Sequence, residues 1–515
     1  EVNEIGRSFA NRWQYDHTTA IPNIGVGATL GDSYQLGEGR RFGYLLTAGY
    51  GIDTARTSGI NRYRPTVAPD GSLRRFNDLE VETAQRDVNL NLMGTTSVDL
   101  SSDSSLSLLA LFNRTTSDNV EFNRGTLGEL DTGSEAERWQ LQYLARTLFF
   151  TQLRGDHRNL GDTELRLRWT AFAGLGRRNE PDRRSVTYGS QGGDVLWLAK
   201  SGSGERFFSD LQQRDFGLET NLQMPLWSTS AGEAQLLVGG SFRRSDRTLL
   251  NRRFGLLRAM TDPNDPDQSA YAMPVEDLFS EEGIGTLTRF QESTFPTDSY
   301  TSDQTLYSGF LSLDTPIVRT LTLNAGARLE VFDQSVESTS PFPTTNEPIR
   351  TDRTDINVLP AASLKYGLRD GMNLRLSYGM TVVRPQVRQL APFLYYNFQR
   401  DRNEVGDPDL TSTNVHNVDA RWEWFFSERE RVTFSAFYKQ LDGYIYGQVL
   451  DPLSYAVGYR NAGRGYVVGG ELELAIGFER IPERLRYFSL LANATVLRSQ
   501  LSLIQTAGSA VPDHV

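Results

Sequence analysis

The chain is 515 residues long, with no cysteine, 46 glycines, 11 % aromatic residues and a formal net charge of −11. Without cysteine there is no disulfide framework, zinc–thiolate site or thiol nucleophile, and the negative charge speaks against a nucleic-acid binder. No run approaches the roughly 18 apolar residues that a membrane-crossing helix needs, and mean hydropathy is −0.44; a membrane β-barrel escapes this test, because its lumen-facing half is polar.

In chain order, residues 1–22 read as a lead segment and 23–515 as one repetitive wall of strands, with no joint between globular domains. A signal peptide is expected to be removed or to lie outside the sequence. The first strand pair is 23–36 with 41–52, joined by GEGR; the next is 81–100 with 106–116. Then comes 138–150 with 163–176, where Leu165, Leu167, Trp169 and Ala171 alternate with Glu164, Arg166, Arg168 and Thr170, and charge at every second position suits a water-filled interior. Further pairs follow at 216–245, 305–332 and 356–382, the last turning at Asp370-Gly371, a favoured hairpin dipeptide. With 414–447 and 463–502 they bring the count to about 16 strands, most of them longer than soluble strands.

Connections alternate between short (GEGR, SSDSS, LRDG) and long (53–80, 117–137, 177–212, 246–300, 333–353, 383–413, 448–462). Sandwiches have no reason to gather long loops at one end, whereas outer-membrane barrels do. The fold class read from this is all-β, a transmembrane antiparallel β-barrel of outer-membrane type.

The stretch 382–478 carries a more specific signal. Along it come Arg384-Pro385, the run Arg388 to Phe393, Gly406-Asp407-Pro408-Asp409-Leu410, and three strands from Asn417 to Phe425, Ser435 to Ile445 and Asn461 to Leu474. This succession resembles the barrel of TonB-dependent outer-membrane receptors. The resemblance implies the outer membrane of a Gram-negative bacterium, a lipid surround, and energy-coupled uptake of a scarce siderophore, oligosaccharide or peptide. It also implies a TonB complex engaged through a plug domain outside this sequence, and a wall of 22 strands of which about 16 are expected here, the C-terminal ones missing. A passive porin or structural barrel scaffold is the alternative, and an even count of 16 permits it.

Arg384, Arg388, Gln389, Tyr395, Tyr396, Asp407 and Asp409 are the candidates to face ligand or plug, with an arginine ladder and loop solvation as the competing uses. Tyr300 and Phe398 are further loop aromatics, able to stack on ligand or to pack the loops together. Arg166, Arg168, Arg421, Glu423, Glu471 and Glu473 are expected in the lumen, and Trp169, Trp422, Trp424 and Tyr438 in an aromatic girdle. The acidic stretches 401–409 (Asp401, Glu404, Asp407, Asp409) and 261–268 offer hard oxygen ligands to calcium, but without the spacing of an EF-hand loop ordinary loop solvation is the expected use, and His17, His157, His416 and His514 are dispersed. No enzyme, metal or cofactor is expected.

Overall fold

The computed structural model describes residues 2–502 apart from 38, 68–72, 128–134, 161–162, 192–193, 201, 260–268, 296, 340–347, 392–393, 398–401, 428–429, 452–455 and 478–486. The expectations on 261–268, Phe393, Phe398, Asp401 and His514 lie outside those residues.

A short helix, α1 (Val2–Ser8), precedes the strands β1 (Ile24–Gly37), β2 (Arg40–Val67), β3 (Leu73–Ser101), β4 (Ser104–Leu127), β5 (Glu135–His157), β6 (Arg166–Gln191), β7 (Asp194–Trp197), β8 (Glu205–Thr229) and β9 (Gly232–Arg258). Then come α2 (Val275–Leu278), β10 (Thr288–Glu292), β11 (Ser299–Val318), β12 (Leu321–Thr339), β13 (Arg350–Arg369), β14 (Met372–Val383) and α3 (Val387–Leu390). The last are β15 (Leu394–Asn397), β16 (Arg402–Val405), β17 (Thr413–Phe425), β18 (Arg431–Asp442), β19 (Ile445–Asp451), β20 (Ala456–Asn461), β21 (Arg464–Gly477) and β22 (Ser489–Leu501). One 18-stranded sheet holds all but β15, β16, β19 and β20, and setting aside the short β7 and β10 leaves sixteen wall strands. Each wall strand pairs antiparallel with the next in sequence. β1 and β22 are the ends of this sheet, each with one wall partner among the described residues.

In such a meander every second connection falls at the same end, so the short turns gather at one end and the long connections at the other. The turn at Asp370-Gly371 has Gly371 at φ +72°, and a Cβ there would meet the backbone oxygen of Phe425; only glycine fits. The long links of the sequence reading are shorter in the structure, because strands run on through them: β2 continues to Val67, β6 to Gln191 and β9 to Arg258. Above a bilayer both faces of a strand meet water, so the ladder continues without alternation to reveal it.

Register fixes which side chains share a face. One row is Arg375, Arg421, Ser435, Glu471 and Thr495; the row beside it is Leu374, Trp422, Phe434, Leu472 and Ala494. The second face stays bare along the wall: Ile356 is 70 % exposed, Val358 61 % and Leu472 47 %. Leaving such side chains in water forgoes about 1.5–3 kcal/mol each, so this face suits hydrocarbon. On the polar face, Phe172, Phe310 and Phe437 lie over Gly217, Gly239 and Gly469 of the neighbouring strands, where a Cβ would overlap each ring. Glycine here admits a large ring into a polar wall.

The principal apolar core sits at the long-connection end. Trp13, Trp197, Phe279, Tyr271, Leu278 and Phe290 are buried together there. Trp13 meets Phe279 at 4.8 Å between ring centroids and donates its backbone N–H to Glu276 Oε1 at 3.1 Å. Arg206 ties the segment down through Ala10 O (3.1 Å), and Trp139 Nε1 donates to Trp13 O (2.6 Å). Two further long connections, those around 383–413 and 448–462, build a small sheet in the order β15-β16-β20-β19, with β16 and β20 parallel.

Candidate functional site: a polar cavity under the long connections

Along the polar face toward the long connections, the wall encloses a cavity of about 630 Å³. Gln85 of β3 and Arg388 of α3 line it together, so the sheet curls until elements about 300 residues apart face one space. Five guanidiniums (Arg146, Arg178, Arg183, Arg253, Arg388) and three carboxylates (Glu121, Glu180, Asp298) point a net positive surface inward.

The carboxylates are engaged by the wall itself. Glu180, 1 % exposed, accepts from Arg178 (2.6 Å), Arg183 (3.0 Å) and Gln142 (2.7 Å). Asp298 accepts from Arg253 Nε at 3.2 Å, and Glu121 takes two hydrogen bonds from Arg62 at 2.8 and 3.2 Å. Burial pushes the Glu121 carboxyl up, but the Arg62 hydrogen bonds and charge outweigh it and hold it below the usual range. Burial pushes the Arg183 guanidinium down to about 10, which leaves it charged at neutral pH. Arg146 has no ion pair or hydrogen bond among the described residues, and the buried Oδ1 atoms of Asn119 and Asn251 accept none. These groups remain available to a polar ligand.

Of the residues singled out for ligand or plug, Arg388 lines this cavity. Arg384 is held elsewhere: it donates to Glu330 Oε2 at 2.7 Å, Arg328 takes the other oxygen at 2.7 Å, and the guanidinium lies 4.6 Å over Phe332. Gln389 Oε1 accepts from the Gln386 N–H at 2.8 Å, closing the turn of α3. Asp407 Oδ1 accepts from the Asp409 N–H at 2.9 Å within a local turn. Tyr395 and Tyr396 lie on β15, opposite Glu404 and Asn403. Tyr300, 1 % exposed, packs with Leu249, Val336 and Val387 and also borders the cavity.

Nearer the short turns, Arg375, Glu423, Arg421 and Glu473 form a ladder across β14, β17 and β21 with contacts of 3.1, 3.0 and 3.5 Å. Glu471 shares that face opposite Ser435 and Thr495. Arg166 binds Asp156 with two hydrogen bonds (3.0 and 2.6 Å), and Arg168 donates to Gln223 at 3.4 Å. On the opposite face Trp422 and Trp424 lie 6.3 Å apart, with Arg369 5.1 Å above Trp424, and Tyr438 stacks with Tyr466 at 6.3 Å. From Trp424 to His416, level with Tyr466, is eight residues, about 26 Å along a tilted strand, which is the scale of an apolar band. Trp169 donates to His157 Nε2 at 3.2 Å.

Sequence reading missed Gln142 and Arg146, which lie inside the strand expected over 138–150, and Glu180 and Asn251, which lie on strand extensions taken for loops. Their polar spacing carries no period that separates a wet wall from a wet loop.

The family described as TonB dependent receptor-like, beta-barrel, matches residues 12–513. No curated protein matches the chain. Among solved structures it is similar to the siderophore receptor PiuA from Acinetobacter baumannii, with a TM-score of 0.57 and 12 % identity, over 95 % of this chain and 65 % of that one. It is also similar to the ferric-catecholate import receptor Fiu from E. coli, with a TM-score of 0.52 and 13 % identity, over 96 % of this chain and 68 % of that one. Identities this low carry the fold and no ligand. The chain spans about two thirds of these receptors' length and belongs to the TonB-dependent receptor β-barrel family, seated in the outer membrane of Gram-negative bacteria.

Proposed function

We propose that residues 23–515 are the wall and surface loops of a TonB-dependent uptake receptor, with residues 1–22 leading into it. A scarce polar ligand, of the siderophore, oligosaccharide or peptide kind, binds under the long connections. A TonB-contacting plug domain outside this sequence then opens the path. The observation that supports this most is the cavity of about 630 Å³, where Arg146 has no ion pair or hydrogen bond among the described residues and Arg388 reaches in from α3. In this reading Tyr395 and Tyr396 border the entrance, whereas Arg384, Gln389, Asp407 and Asp409 shape the loops that carry them. Arg166, Arg168, Arg421, Glu423, Glu471 and Glu473 line the lumen, and Trp169, Trp422, Trp424 and Tyr438 meet lipid.

The test is a growth screen of a deletion strain complemented with the intact gene, on single scarce iron, glycan or peptide sources. Uptake that vanishes without TonB is expected, and the pair Arg146→Glu, Arg388→Glu is expected to lower it roughly tenfold or more while migration in gels stays heat-modifiable. Uptake that persists without TonB makes the chain a passive pore and overturns the reading.

A further inference from the structure

The polar cavity holds a row of carboxamides as well as its guanidiniums. Register sets Gln85, Asn119 and Gln142 side by side across β3, β4 and β5, and Asn251 lines the same space from β9. An amide can turn either end toward a ligand, and its neighbours decide which. Gln85 Nε2 donates to both oxygens of Asp87 (2.9 and 2.7 Å), Gln142 Nε2 to Glu180 Oε1 (2.7 Å) and Asn251 Nδ2 to Asp298 O (2.6 Å). A carboxylate or a carbonyl only accepts, so each of these three amides keeps its nitrogen on the wall. The oxygen is the end left over. The Oδ1 atoms of Asn119 and Asn251 are buried and accept no hydrogen bond among the described residues. Acceptors held in this way call for hydroxyl donors.

Charge sets a second requirement. Arg146 of β5 stands directly opposite Arg178 of β6, and like charges so placed repel. Arg178 is met by Glu180 at 2.6 Å, whereas Arg146 has no ion pair or hydrogen bond among the described residues. The three carboxylates of the cavity are taken up elsewhere: Glu121 by Arg62, Glu180 by Arg178 and Arg183, and Asp298 by Arg253. A carboxylate brought in by a ligand therefore meets an open guanidinium fork and eases the repulsion between the two strands. Arg146 lies four residues along β5 from Gln142, about 13 Å, so the anion and the hydroxyls stand well apart on the ligand.

Resting on the reading of this cavity as the ligand site, we infer that it takes an acidic oligosaccharide, a chain of sugars bearing carboxylates. One carboxylate pairs with Arg146, and hydroxyls of the sugar rings donate to the oxygens of Gln85, Asn119, Gln142 and Asn251. A neutral glycan leaves Arg146 without a counter-charge. A metal chelate offers oxygens already engaged with its ion and few donors for the amides, and a peptide brings an ammonium terminus that the net positive surface repels.

The experiment is titration calorimetry of the purified full chain in detergent, with trigalacturonate, its methyl ester, galacturonate or tricarballylate as probe. Trigalacturonate is expected to bind roughly tenfold tighter than the uncharged ester, the single sugar acid or the hydroxyl-free polyanion. Arg146→Gln is expected to bind acid and ester alike. Arg146→Lys, which keeps the charge and loses the fork, is expected to retain a preference reduced about threefold, and serves if the glutamine variant fails to fold, which heat-modifiable migration reports. Asn119→Ala is expected to weaken acid and ester together by about fivefold and to leave tricarballylate unchanged. Equal binding of the ester, of galacturonate or of tricarballylate to the wild-type chain, or an undiminished preference for the acid in folded Arg146→Gln, overturns the inference. TonB-dependent uptake of another ligand through the cavity, with no binding of trigalacturonate, overturns it and leaves the receptor standing; binding of trigalacturonate with entry that does not need TonB supports it and overturns the receptor.

Discussion

Glu121 and Arg62 show how single residues hold the wet end of the wall. Because Arg62 holds the half-buried Glu121 carboxyl below its ordinary value of 4.5, the pair contributes stability that is fully present above that value and is lost as pH falls through and below it. Arg62→Gln is expected to lower stability at about pH 7 by about 1–2 kcal/mol, with the difference from wild type closing toward about pH 3. Hydrogen exchange of the β2–β4 amides at the two pH values measures this, and a pH-independent difference would contradict it. Most residues of the polar face were legible as types: charge at every second position identified Arg166, Arg168, Arg421, Glu423, Glu471 and Glu473 as one-faced. Their partners were not legible, since Glu473 meets Arg421 across 52 residues of sequence. Arg384 and Arg388 sit four residues apart in one motif, and only packing separates them into a buried ion pair and a cavity wall.

At the scale of elements, β17, β18 and β21 could be read directly, because a wall between lipid and water enforces alternation on every residue. The upper parts of β2, β6 and β9 could not, for the opposite reason: with water on both sides no pattern is imposed. The apolar cap was also hidden, since Trp13, Trp197, Phe279 and Phe290 come from segments far apart in sequence, each polar enough to pass for loop. That cap clamps the chain ahead of β1 onto the long connections, so its removal acts locally. Trp13→Ala is expected to remove about 3–5 kcal/mol of local stability. The amides of residues 2–17 and 275–292 then lose protection from hydrogen exchange, while those of β17 and β18 keep theirs. Unchanged protection in 2–17 would show that the clamp does not depend on this indole.

For the whole molecule, the alternating loop lengths and the motif succession between Arg384 and Leu474 both lead to the outer-membrane receptor wall that the family match and the structure describe. The cavity was not legible, because it is assembled from neighbouring strands whose separations in sequence follow no rule. The account rests on one claim, that the two faces of the sheet meet different solvents. The absence of cysteine makes this directly measurable. Single cysteines at Glu471, Leu472, Glu473 and Leu474, introduced one at a time, can be labelled in intact outer membranes with a membrane-impermeant, water-soluble maleimide after the lumen is opened to solvent. The expected result is labelling at 471 and 473 and protection at 472 and 474, with a brominated acyl lipid quenching Trp422 and Trp424. Labelling at all four positions alike, or at 472 and 474 instead, would contradict it.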